Sequence, residues 1–151
     1  MSEIIDERTI FLNKEFKSKE EVLEDIAETA VSLQIADSQD EILQALLQRE
    51  EIVPTAVGKG VAIPHCKSEV VKDSKVFLYR VDKEIQWEKD EKITMIFAIL
   101  TNSQNSDHLS ILAKLSRNLL KESFLNTIKN TSSTREVFET IKNILNRGVE
   151  K

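Results

Sequence analysis

The chain has 151 residues, 40% hydrophobic and 31% charged, and its 26 acidic against 21 basic residues leave a net charge of −5. This is the size and balance of a single folded domain with its own core, and the acidic excess argues against a sequence-independent nucleic-acid binder, which needs a basic face. The start, Met1 to Glu7, is acidic and has no apolar stretch, the longest apolar run is only Met95 to Leu100, and the lone Cys66 has no disulfide partner, so the expectation is a cytoplasmic protein with no secretory signal and no membrane insertion.

The first element expected is a short edge strand, Thr9-Ile10-Phe11-Leu12, followed by a polar connection from Asn13 to Lys17. Ser18 and Glu21 have the spacing of a capping box, so a helix should follow, with Val22, Leu23, Ile26, Ala27, Ala30 and Leu33 as its apolar stripe. A second box, Ser38 with Glu41, opens another helix carrying Ile42, Leu43, Ala45, Leu46 and Leu47. It should end near Glu50, ahead of Pro54, which leaves Arg49 and Glu50 in the last turn.

Both prolines of the chain, Pro54 and Pro64, and two of its three glycines, Gly58 and Gly60, then fall within 54–64. Glycine permits positive φ and close backbone approach, and proline fixes φ and extends the residue before it. The window therefore reads as a tight turn, a short strand Val61-Ala62-Ile63, and a rigidly presented His65, one of only two histidines. A core histidine needs no such scaffolding.

Glu50, Val57-Gly58, Val61-Ala62-Ile63-Pro64-His65 and Cys66 together carry a family likeness: from about Ile4 to about Leu145 the chain resembles the enzyme IIA components of the bacterial sugar phosphotransferase system, of the fructose-mannitol type. The resemblance implies that the histidine after the proline takes a phosphoryl group from the phosphocarrier HPr and hands it to an enzyme IIB, which serves a membrane enzyme IIC permease. It also implies an arginine-glutamate pair at Arg49 and Glu50, and a second histidine just before a leucine-rich helix, which here is His108. No cofactor and no metal belong to that chemistry.

Val76 to Val81 and Ile93 to Leu100 are nearly continuous apolar runs of strand length, as expected for strands covered on both faces. Between them Asp82 to Lys92 reads as a charged connection in which Trp87 packs as a lid on the core edge. A polar loop, Thr101 to Ser106, leads to a helix capped by Ser106 or Asp107 and striped by Leu109, Leu112, Ala113, Leu115, Ser116, Leu119 and Leu120. His108 then sits in a helical first turn, where free N–H groups favour an anion. A short apolar segment, Phe124-Leu125 with Ile128, precedes a third capping box, Ser133 with Glu136, and a terminal helix bearing Val137, Phe138, Ile141, Ile144 and Leu145. This order predicts a single-domain α/β sandwich, a small mixed sheet with helices on both faces, over 1–151.

Imidazole suits reversible phosphoryl carriage, being nucleophilic when neutral and a good leaving group once phosphorylated. The step needs in-line positioning and balance of charge on the equatorial oxygens. Arg49, the backbone around Gly58 and Gly60, and the helix start at His108 are candidates for that balance, with Lys59 and Glu50 as further support. A zinc site from His65, Cys66 and His108 has too few ligands and no recognised spacing, and Cys66 should face away from His65 on an extended chain, which also excludes a cysteine-histidine nucleophile pair. Cys66 is read as a small packed residue. His108 stays open between helix capping and a role beside His65. The likeness also extends to the regulatory nitrogen-type enzyme IIA, whose phosphorylation state controls other proteins, and the sugar cannot be read from a chain that touches only proteins.

Overall fold

Three serines start three helices in the computed structural model, which describes residues 4–88, 91–104, 107–119 and 121–146, with the side chains of Asp107, His108, Leu109 and Asn146 outside the description. After β1 (Ile10–Lys14), Ser18 Oγ accepts the Glu21 N–H at the head of α1 (Lys19–Ser32), and Ser38 Oγ accepts the Glu41 N–H at the head of α2 (Gln39–Ile52). The return half of the first box closes one residue early, because Glu21 accepts from Lys17 N–H at 2.8 Å. Short strands β2 (Ala56–Gly58), β3 (Val61–Ala62) and β4 (His65–Ser68) follow, then the long β5 (Lys75–Glu88) and β6 (Glu91–Asn102). The chain ends in α3 (Asp107–Leu119), α4 (Glu122–Asn130) and α5 (Thr134–Asn146), the last begun by Ser133 Oγ and the Glu136 N–H. Ser106, one of the two expected caps of α3, and Leu120, the last residue of its expected stripe, lie outside the described residues.

The strands make one mixed sheet in the order β1-β5-β6-β3-β2. β5 and β6 pair antiparallel along nearly their whole length, β1 lies parallel on the outer side of β5, and both β3 and β4 run parallel to β6. Successive side chains of a strand face opposite ways, and here both directions are covered. Leu78, Met95, Phe97 and Ile99 join α3, α4 and α5 in one core, while Phe77, Tyr79, Ile96, Ala98 and Leu100 join α1 and α2 in another. This is why the two runs read as continuous hydrophobic stretches.

The expectation of a charged connection from Asp82 to Lys92 is corrected. Strands occupy Asp82 to Glu88 and Glu91 to Lys92, and the charges are the wet face of an extended hairpin: Asp82, Lys83 and Glu84 are exposed, whereas Ile85 and Trp87 are buried. A register shift between Arg80 and Ile85 marks the change from two-sided to one-sided cover. Trp87 packs on the core edge as expected, 3% exposed. Arg80 is a bracket that sequence reading did not find. Its Nη1 donates to the carbonyls of Ile128 at 3.0 Å and Thr131 at 2.5 Å, closing the C-terminal end of α4, and its Nε donates to Leu12 at 3.1 Å.

Candidate functional site

Val61 to Ser68 runs along one edge of β6 and is broken once, at Ile63-Pro64, where the pairing passes from β3 to β4. Proline cannot donate, and its carbonyl instead accepts the Ile99 N–H at 3.0 Å, which sets His65 level with Ile99. The break turns the Ile63 carbonyl towards His65. The ring Nδ1 lies 2.7 Å from that oxygen, and Nε2 accepts a hydrogen bond from Arg49 Nε–H at 3.0 Å. An acceptor on one nitrogen and a donor on the other fix a neutral imidazole with its proton on Nδ1. The nucleophilic lone pair is therefore on Nε2.

Burial chiefly pushes the His65 pKa below the ordinary value of 6.5, and the Arg49 guanidinium adds to this against the opposing influence of the Ile63 bond and Glu50. Arg49 is itself held. It stands in the last turn of α2, and its Nη1 donates to the carbonyl of Val53 at 2.7 Å, one of the groups a helix end leaves without a partner.

Glu50, next along the helix, is buried and serves the backbone under the histidine. Its carboxylate accepts the Thr55 N–H at 3.3 Å and the Thr55 hydroxyl, and pairs with Lys19 Nζ at 3.7 Å. The Thr55 carbonyl then accepts the Ile63 N–H at 2.9 Å. A continuous chain of hydrogen bonds thus links Glu50 through Thr55 and Ile63 to His65 Nδ1. Lys19 also reaches Glu88 at 3.9 Å, so the tip of the β5–β6 hairpin is tied to the same carboxylate.

The structure brings Arg49 and Glu50 to His65, but not the glycine turn. Gly58, Lys59 and Gly60 all have positive φ, and the Gly60 carbonyl accepts from Thr94 and Met95 N–H at 2.9 and 3.1 Å. His65 is level with Ile99, five strand residues further on, or roughly 16 Å at about 3.3 Å per residue. Gly58 and Lys59 instead border a cavity of about 180 Å³ with Ser116 and Leu119 at the end of α3. Since α3 runs back along β6, its first turn, with the backbone of His108, lies at the end of the sheet where His65 is; the His108 side chain lies outside the described residues.

His65 opens onto a cleft of about 440 Å³ lined by Ala45, Gln48, Arg49, Ile52, His65, Cys66 and Lys67. Gln48, Ile52 and Lys67 were not singled out from sequence, although Lys67 has a signal: it is two residues from His65 on a strand, hence on the same face. Cys66, between them, is buried in the α1–α2 core, and burial pushes its thiol up to about 12, so it is an inert packed residue. Among the described residues no three of His, Cys, Asp and Glu come together as they would to hold a metal ion. The arrangement is a single neutral nucleophile with a guanidinium against its reactive nitrogen.

Residues 3–144 match the family described as "Phosphoenolpyruvate-dependent sugar phosphotransferase system, EIIA 2". Among relatives, the chain is 31% identical over 131 residues to the PTS system fructose-specific EIIA component of Haloferax volcanii, covering 85% of each chain. It is also 31% identical over 117 residues, 76% of its own length, to multiphosphoryl transfer protein 1 of Escherichia coli strain K12, but spans only 14% of that relative's length. Among solved structures, the nitrogen regulatory protein IIA-Ntr of Neisseria meningitidis superposes with a TM-score of 0.84 at 25% identity, covering 91% of this chain and 96% of the other.

Proposed function

The chain belongs to the EIIA 2 family of the phosphoenolpyruvate-dependent sugar phosphotransferase system, and from that premise we propose that it accepts a phosphoryl group from phospho-HPr on His65 and passes it to an enzyme IIB component for sugar uptake. The observation that carries this reading is the hydrogen bonding of the ring, with Nδ1 on the Ile63 carbonyl and Nε2 facing Arg49 in an open cleft. Nε2 attacks phosphorus in line, the N–P bond of the donor imidazole breaks, and its electron pair stays on the donor nitrogen. The proton on Nδ1 stays on the ring, so the product is a phosphoimidazolium whose charge the Ile63 carbonyl shares. That ring is a good leaving group for the second transfer. Arg49 loses Nε2 as its acceptor when the bond forms, and its guanidinium is then next to the new oxygens.

The whole 1–151 chain acts as one domain in this reading. No described helix is long and apolar enough to cross a membrane; a cytoplasmic place is proposed because the phosphoryl source is phosphoenolpyruvate, and the membrane enters only through the IIC permease. Ile52, 76% exposed, and Val53, 56% exposed, stand beside the cleft as apolar surface for a protein partner. No step draws on a cofactor. A second reading, a regulatory carrier whose phosphorylation controls other proteins, is favoured by the likeness to nitrogen regulatory IIA-Ntr. Incubation with phosphoenolpyruvate, enzyme I, HPr and a panel of IIB proteins tests both: label passing on to a IIB supports transport, and label that stays on this chain with every IIB supports regulation.

A further inference from the structure

We propose that Lys67 is a second cationic contact of the phosphoryl group carried by His65. The inference rests on His65 as the acceptor, and on four observations about the cleft. Lys67 follows His65 by two residues on β4, so the two side chains leave the same face about 6.6 Å apart along the strand. It lines the cleft with the neutral His65 and with Arg49, and Lys67 and Arg49 are the only cations among the described lining residues. Its side chain is exposed and has no ion pair or hydrogen bond among the described residues. The carboxylate nearest the ring, Glu50, is turned to Thr55 and Lys19 and makes no claim on Lys67.

The charge balance supplies the reason for a second cation. A phosphoryl group brings about 1.5 to 2 negative charges at neutral pH. Arg49 supplies one positive charge, with its Nη1 held by the Val53 carbonyl, and the positive charge of the phosphorylated ring is shared with the Ile63 carbonyl at Nδ1, on the side away from the phosphoryl oxygens. The transfer is the one written above: the N–P bond forms at His65 Nε2 as the donor's N–P bond breaks, and Lys67 forms no covalent bond and moves no proton. A lysine is a compact charge with three donors on a flexible stem, able to follow the phosphoryl oxygens as a partner arrives and leaves. Lys67 therefore touches the transferred group, while Glu50 and Thr55 act only through the ring.

The test is ³¹P NMR on the whole chain, phosphorylated once by phospho-HPr and once by phosphoramidate, a small donor that needs no docking surface. With Lys67→Gln the phosphoryl ionisation midpoint should rise by about 0.5 to 1 pH unit, because a nearby unit charge no longer favours the dianion. Acceptance from phosphoramidate should slow by about three- to tenfold, and Lys67→Arg should restore both. An unchanged midpoint in Lys67→Gln with a raised KM for phospho-HPr overturns the proposal and makes Lys67 a partner contact. Unchanged midpoint and unchanged KM overturn it too, leaving a solvated lysine. No phosphohistidine signal in the parent overturns the His65 reading and this one with it, so the two failures are distinct.

Discussion

His65 is prepared for chemistry by being kept neutral, and that has a measurable sign. Its pKa in the fold lies below the ordinary 6.5, mainly through burial. Between the two values the unfolded chain binds the extra proton, so the contribution of His65 to stability is complete above pH 6.5 and is lost as pH falls below it. Acceptance from phospho-HPr should accordingly stay level from pH 8 down to about 6.5 and decline only below that. Arg49→Ala removes one of the influences that depress the pKa, so the decline should begin at higher pH. The same variant should slow both accepting and donating, by about 10²-fold on the scale of a lost oxyanion donor. A pH profile and rates identical to the parent's would contradict the role given to Arg49. At this scale His65 was legible because scarce glycine and proline crowd around it. Glu50 could be named only through the family likeness, since nothing in its sequence neighbourhood reveals that its carboxylate reaches Thr55, five residues on.

The glycine turn is an element-scale feature, and its position changes what it does. Sequence alone puts Gly58 and Gly60 near the histidine because they are near in number, but strand register sets them roughly 16 Å apart along β6. Gly60, with φ +77°, would bring a Cβ to 3.3 Å from Thr94 Oγ1, whereas Gly58, with φ +95°, has open space. Both Gly→Ala variants should therefore cost about 1–2 kcal/mol for the left-handed conformation, with Gly60→Ala the more costly. Urea denaturation measures the difference. Acceptance by the fraction that remains folded should match the parent, and a slower rate at full foldedness would contradict the separation. The β5–β6 hairpin was misread for a related reason. A strand covered on one face alternates charge with Ile85 and Trp87, and over a few residues that pattern resembles a polar loop.

The whole molecule is two cores sharing one sheet. Ile96 and Phe97 are neighbours on β6, yet Ile96 belongs to the α1–α2 core and Phe97 to the α3–α5 core, where its ring stacks 6.2 Å from Phe124. Ile96→Ala should cost about 2–5 kcal/mol and Phe97→Ala about 3–5 kcal/mol. Because both cores share β5 and β6, each variant should shift one common unfolding transition. Two separate transitions, seen by helix and aromatic signals in the same melt, would show the layers to be independent. The sandwich itself was readable, because unbroken apolar strands between amphipathic helices have no other stable arrangement. The order of its strands was not, since parallel pairing of β3 and β4 to β6 depends on contacts far apart in sequence.

The central claim is that Nε2 of His65 is the atom that carries phosphorus while Nδ1 keeps its proton on the Ile63 carbonyl. Labelling the ring nitrogens with ¹⁵N and phosphorylating the chain through phosphoenolpyruvate, enzyme I and HPr makes the claim directly observable. A single one-bond ³¹P–¹⁵N coupling is expected, at Nε2 of His65, with Nδ1 still protonated, and no phosphorus signal from His65→Ala. A coupling at Nδ1, or label retained by His65→Ala, would contradict it.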